Sequence, residues 1–332
     1  MGRRRKTPLW PMAFLKVAKS MGRALRLVRP VAKAPRGAGL WSAGMALGPA
    51  GMRRYRLLLP PGLGVGERLP LLVMLHGCTQ DANGFALSTR MNRLAVQQRF
   101  AVLYPEQDRH AHLQGCWNWY ETDGGLAYRE AATVLAMIDQ VCLLPTIDRS
   151  RAAVAGLSAG ASMAALLASR YPARFCAVAM HSGVPPGAAH STASALRAMR
   201  GHAPAPSKTP LTALPPLLAI QGTADTVVAP GNALAAAQLW AEAAGAQPGA
   251  SRVLRRGQRR PMTVTDFKQR GRLAVTLCEI QGLGHAWSGG AAGQPLSDAS
   301  GPDASRMIWS FALRQFGPVR TVDRTVTEHL QA

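Results

Sequence analysis

Short apolar runs ending in glycine or proline alternate along this chain with longer stretches whose apolar residues recur at helical spacing. LPLLVMLHG (69–77) is continuous and ends in glycine, as a central strand covered on both faces does. FAVLYP (100–105), RAAVAGLS (151–158), FCAVAMHSG (175–183), PPLLAIQGT (215–223) and LAVTLCEIQG (273–282) read the same way. MRRYRLLLP, from Met52, alternates enough for an edge strand. Between these runs, the residues around Phe85 to Arg99, YREAATVLAMIDQVC, AGASMAALLASRYP and GNALAAAQLWAEAAG carry helical patterns. GPDASRMIWSFALRQF closes with a helix for which Asp303 or Ser305 is the cap. Strands alternating with helices predict an α/β fold, with a mostly parallel central sheet, right-handed crossovers and helices on both faces. Ligands of such sheets sit beyond the carboxyl ends of the strands, so the strand ends are where chemistry is expected.

Composition sharpens this picture at the termini. The chain has 332 residues, 48% of them hydrophobic, enough for one large α/β domain or two smaller ones. No apolar run reaches the roughly 18 residues of a membrane span. The formal charge is +22, and no acidic residue precedes Glu67. Residues 1–50 therefore read as a basic tail, 51–318 as the folded domain and 319–332 as a C-terminal tail. Lys16, Lys19, Arg23, Arg26 and Arg29 interrupt any secretory apolar core, whereas Phe14 to Val28 suits a basic amphipathic helix on a membrane surface. A second cluster, SRVLRRGQRR (251–260), adds to the charge. Such clusters are either solvated or contact an anionic membrane or polymer. No zinc-finger spacing or RNA-recognition signature accompanies them, so no specific nucleic-acid partner is expected. Five cysteines leave at least one unpaired and do not settle the compartment.

The chemistry concentrates at three strand ends. VAGLSAGASM places Ser158 between Gly156 and Gly160, after an expected strand and before an expected helix, the context that a G-x-S-x-G nucleophile requires. A serine hydroxyl needs a base, and the base needs an acid to fix its tautomer. IQGLGHAWSGG supplies His285, and LLAIQGTADTVVAP supplies Asp225 just past a strand. Ser158, Asp225, His285 is the chain order of an α/β-hydrolase triad. His181 also follows a strand and is the rival base, His76 opens HGCTQ, and Asp298 and Asp303 are the substitutes for Asp225. The oxyanion hole calls for two backbone N–H groups, one from Ala159 and the other from Cys78 in LHGCTQ. Trp117, Trp119 and Trp287 are candidates to line the acyl or alcohol pocket, core packing being the other role open to them. The mechanism needs no metal or organic cofactor, and no metal-ligand spacing is apparent.

PLLVMLHGCTQDANGFA, TRMNRLA, YPEQ, CWNWY, VAGLSAGASMAALLASRYP, HSGVP and GLGHAWSGG together resemble the polyhydroxybutyrate depolymerase family of esterases, which includes feruloyl- and acetylxylan-esterase-like members. The resemblance runs from about Tyr55 to Phe316. It implies an α/β-hydrolase fold and hydrolysis of carboxylic esters, with Ser158 as nucleophile, Asp225 as acid, His285 as base, and Cys78 and Ala159 at the oxyanion hole. It also implies an extracellular location, whereas the charged tail departs from an ordinary signal peptide and leaves the cytoplasm as the alternative. Cys78 and Cys116 fall on loops expected at the active-site edge and are either a disulfide or two buried thiols. Without a linker or binding module after Phe316, the expected preference is for soluble short-chain esters or 3-hydroxyacid oligomers over crystalline polymer. A peptidase, an acyltransferase and a non-catalytic anionic-surface binder on the same scaffold are the competing readings.

Overall fold

The computed structural model describes residues 34–202, apart from 36 and 38, and residues 213–317. The expected helix at Phe14 to Val28, most of the basic tail and the C-terminal tail from 319 lie outside the described residues.

The buried apolar runs become the strands of one sheet: β1 (Leu40–Gly48), β2 (Gly51–Leu59), β3 (Leu69–Leu75), β4 (Ala101–Pro105), β5 (Ile147–Leu157), β6 (Ala177–His181), β7 (Leu217–Gly222), β8 (Gln247–Pro248), β9 (Arg252–Leu254), β10 (Met262–Gln269) and β11 (Arg272–Ile280). A short parallel pair, β12 (Trp287–Ser288) and β13 (Ser297–Asp298), stands apart. The helices are α1 (Ala82–Thr89), α2 (Met91–Gln98), α3 (Leu126–Val141), α4 (Ala159–Arg170), α5 (Thr192–Met199), α6 (Gly231–Ala244) and α7 (Ala304–Gln315). Asp303 is the cap of α7, accepting from the Arg306 amide at 3.0 Å.

The sheet runs β1-β2-β4-β3-β5-β6-β7-β11-β10-β8, with β9 also on β10. The stretch from β4 to β11 is parallel, and antiparallel strands flank it on both sides. Successive strand residues face opposite sides. Leu71, Val73 and Leu75 pack with α3, α4 and α6, while Leu72 and Met74 pack with α1, α2 and α7. Both faces of the parallel strands are therefore covered, which is why these strands read as unbroken apolar runs.

Four expectations change. Residues 40–50 are not tail: β1 pairs with β2 along its whole length, from Leu40↔Leu59 to Gly48↔Gly51. Consequently the strand from Met52 is not an edge, since β4 bonds its other side. The helix expected over 85–99 is two helices, because Arg90 adopts φ 55° and breaks the axis. The arginine-rich segment 251–260 is in part a strand, β9 pairing with β10.

Candidate active site

Chain direction reverses across the sheet between β3 and β5: the chain passes from β3 outward to β4, then returns to β5 and continues the other way. A crevice at the carboxyl ends is expected there. The register aligns those ends, with Leu75 opposite Gly156, Leu157 opposite His181, His181 opposite Ile220 and Gly222 opposite Ile280.

Ser158 is the residue between β5 and α4, at φ 57° and ψ −123°. This is a region that side-chain-bearing residues rarely occupy, and it lifts the hydroxyl off the sheet. The residues two positions to either side must be glycine. A Cβ on Gly156 would overlap the carbonyl of Gly160, and one on Gly160 would overlap the carbonyl oxygens of Leu75 and His76. The close approach of β3, β5 and α4 thus dictates both flanking glycines.

His285 Nε2 lies 2.9 Å from Ser158 Oγ, and His285 Nδ1 lies 2.8 Å from Asp225 Oδ2. The loop after β7 turns Asp225 inward, where its Oδ1 accepts from the amides of Val227 and Val228, each at 2.9 Å. Burial pushes the Asp225 carboxyl up, but the bond from His285, the charge of that ring and the two amides outweigh it and hold the group below its ordinary value. With Asp225 ionised and accepting from Nδ1–H, the His285 tautomer leaves Nε2 free to accept from the serine.

Two segments approach Ser158 here, the start of α4 and the loop after β3. Ala159 opens α4, and Cys78 follows Gly77 in the loop after β3, where a Cβ on Gly77 would lie 3.5 Å from the Cβ of Ser158. Among the described residues neither the Ala159 nor the Cys78 amide has a protein acceptor. A disulfide joins Cys78 to Cys116, with Cα atoms 4.3 Å apart, so of the two states left open by the sequence the bridge is the one present.

Other strand-end histidines are used structurally. His181 is fully buried; its Nε2 accepts from the Ser288 amide at 3.1 Å and its ring stacks on Trp287. Burial, with the nearby His285 charge, lowers its pKa to about 3 against a smaller opposing effect of Asp225. His76 is also buried, accepting from the Gln107 amide at 3.1 Å. Asp298 pairs with Arg260 and Asp303 caps α7, so neither takes the place of Asp225.

All three tryptophans are buried in the core. Trp287 is 0% exposed, its indole N–H donating to Ser305 Oγ, and Trp117 is 1% exposed, donating to the carbonyl of His76. Of the two roles open to them in the sequence, pocket lining and core packing, both take the second: their rings lie in the two apolar layers and their indole N–H groups are spent on internal acceptors. Trp119, at 7%, packs edge-on against Tyr120.

Beneath the triad lies a layer of buried polar side chains to which no motif assigns a task. Gln221 donates to Asp225 Oδ2 at 3.0 Å. Under the Cys78 loop, buried Glu130 accepts from Gln107 at 2.7 Å, and from the Asn118 amide and side chain, each at 2.8 Å. Gln107 also donates to the Cys116 carbonyl and accepts from Arg53. Gln107 and Asn118 fall within YPEQ and CWNWY, motifs that carried the resemblance without an assigned task.

Known proteins share the family and the fold. Residues 53–241 match the family described as esterase PHB depolymerase. Poly(3-hydroxyalkanoate) depolymerase C of Paucimonas lemoignei is 37% identical over 148 residues, 44% of this chain and 35% of that protein. A probable acetylxylan esterase A of Aspergillus fumigatus is 27% identical over 127 residues, 37% of this chain and 33% of the relative. The matched stretch is thus about a third of the length of these curated relatives. Among solved structures, acetyl xylan esterase from Aspergillus awamori aligns with a TM-score of 0.59 at 20% identity, covering 74% of this chain and 94% of that one. S-formylglutathione hydrolase from Staphylococcus aureus aligns with a TM-score of 0.52 at 15% identity, covering 86% and 100%. At such identities the likeness carries the fold alone, which is the α/β-hydrolase fold.

Proposed function

The chain belongs to the esterase PHB depolymerase family, and from that premise we propose that it is a serine esterase acting on carboxylic esters through an acyl-enzyme. One observation carries the reading: an unbroken line of hydrogen bonds from Asp225 through His285 to Ser158, at 2.8 and 2.9 Å, beside two unengaged amides.

In this mechanism Ser158 Oγ attacks the ester carbonyl carbon as His285 Nε2 takes its proton. Asp225 holds the ring and stabilises its charged form. The carbonyl oxygen becomes an oxyanion facing the amides of Ala159 and Cys78, already oriented and free of other acceptors. Collapse breaks the bond to the alcohol oxygen, which leaves with the proton from His285. Water then repeats the sequence on the acyl-serine, with His285 as base and Ser158 as leaving group.

Short-chain or 3-hydroxyalkanoate oligomer esters are the substrates this reading favours, supported by the name of the Paucimonas lemoignei relative. Acetylated or feruloylated polysaccharide is the second reading, supported by the names of the acetylxylan and feruloyl esterase relatives. The Cys78–Cys116 bridge favours an oxidising, extracellular compartment over the cytoplasm.

The test is a p-nitrophenyl ester series of increasing acyl length with wild type and Ser158→Ala. 3-Hydroxybutyrate trimers and acetylated xylo-oligosaccharides are then compared at equal enzyme. Turnover that disappears in the variant and favours the trimers supports the proposal. Activity surviving in Ser158→Ala overturns the mechanism, and a preference for acetylated sugars overturns the substrate.

A further inference from the structure

The arginine-rich segment singled out in the sequence lines a cleft that does not include Ser158, Asp225 or His285, and the fold gives it a specific setting. The β9–β10 hairpin faces α7 across a cleft of about 490 Å³. The hairpin contributes Arg252, Arg256, Arg259 and Arg260, and the helix contributes Arg306 and Arg314. Between these walls the floor is mainly apolar, including Met262, Val264 and Phe311. Ser158, Asp225 and His285 do not line it.

The charge in this cleft is not balanced internally. Arg252 pairs with Asp266 at 2.8 Å, Arg260 with Asp298 at 3.1 Å and Arg306 with Asp303 at 3.5 Å. Arg259 donates to the carbonyl of Gly301 at 2.8 Å. Among the described residues, Arg256 and Arg314 have no carboxylate partner. A smaller depression of about 220 Å³ shares Arg259 and Arg306 and adds Arg90 and Arg93. Cations gathered around one concavity repel one another, and an anion between them reverses the sign of that interaction.

We propose that this cleft binds a soluble small molecule carrying two or more phosphate groups. Three features argue for that class. Guanidinium forks match phosphate oxygens two at a time, and the arginines approach from two opposed walls. The volume falls in the range of small-molecule sites. The charge lines a concavity over an apolar floor, whereas a membrane surface or a duplex would be met by a broad exposed face.

The test uses two probes, sodium tripolyphosphate and ATP, titrated calorimetrically into the full chain at low salt. Three proteins are compared: wild type, Arg256→Glu/Arg314→Glu, and a control, Arg149→Glu/Arg200→Glu. All four positions are exposed and both variants make the same charge change, so attraction by the rest of the chain cancels. The expected result is saturable uptake of about one probe per wild-type chain, weakened roughly tenfold or more by the cleft substitutions and less than about twofold by the control. Hydrolysis of p-nitrophenyl esters stays unchanged in both variants. Phosphatidylglycerol vesicles form the last arm, and their association is expected to respond equally to the two variants. Equal weakening of the soluble probes by both variants, absence of saturable uptake, or loss confined to vesicle association in the cleft variant overturns the proposal.

Discussion

Ser158 and His285 are held to one another by backbone geometry rather than by sequence proximity: they are 127 positions apart and 2.9 Å in contact. Groups that act as a unit lose nearly everything when either is removed. Ser158→Ala and His285→Ala are each expected to lower kcat by roughly 10⁴-fold or more, with the double variant little worse. Steady-state kinetics on a soluble ester checks this, and His181→Ala tests the alternative base. Near-normal kcat in His285→Ala together with its loss in His181→Ala would reverse the assignment. The three residues were legible because each follows an apolar run, and chain order selects among candidates at strand ends. Gln221 and Glu130 were not legible, since a buried polar residue in an apolar run carries no label for the partner it will meet. Trp287 misled for a related reason: two residues from His285 along the chain, its ring instead stacks on His181 and meets Phe85 edge-on.

At the scale of elements, β1 shows what composition hides. Its glycines read as tail, but each makes room for a neighbour. A Cβ on Gly44 would overlap the Tyr55 ring, and one on Gly48 would press on Thr133 of α3. The strand has no apolar alternation because it lies at the sheet edge, half in solvent. A chain starting at Met52 therefore loses the partner of β2 and exposes that strand's bonding edge, whereas one starting at residue 34 keeps both. The shorter chain is expected to unfold at lower temperature or aggregate, and the longer one to retain wild-type thermal unfolding; equal melting curves would show that β1 adds nothing. The disulfide acts on another segment, the loop after β3 that carries Cys78. It closes a loop with a sequence separation of 38. Chain entropy alone puts its loss at about 2–4 kcal/mol. Cys78→Ser/Cys116→Ser is expected to show that loss in denaturant melts and a fall in kcat exceeding any change in KM, because in the proposed mechanism the Cys78 amide faces the transition state.

Across the whole molecule, buried neutral histidines couple the fold to pH. His181, the last residue of β6, packs against β12, its Nε2 committed to the Ser288 amide, and burial holds its pKa at about 3. In the unfolded chain a histidine titrates near ~6.5. Between those values the unfolded state binds a proton that the folded state refuses, so stability is greatest above pH ~6.5 and falls as the pH is lowered through the window. This one group contributes a slope of up to roughly 1.4 kcal/mol per pH unit. His76, also lowered chiefly by burial, acts in the same sense. Asp225, whose folded pKa is depressed, adds a loss only at lower pH, below its unfolded value of ~3.9. Acid unfolding should thus begin in the histidine range, well before the carboxylates titrate. Chemical denaturation of wild type and His181→Gln between pH 8 and pH 4.5 tests this. The variant is expected to be less stable at pH 8, because the packing on Trp287 is lost, but to decline less steeply below pH 6.5. Parallel declines would mean that His181 takes up its proton in the folded protein, and that its amide partner and stacked indole do not keep it neutral.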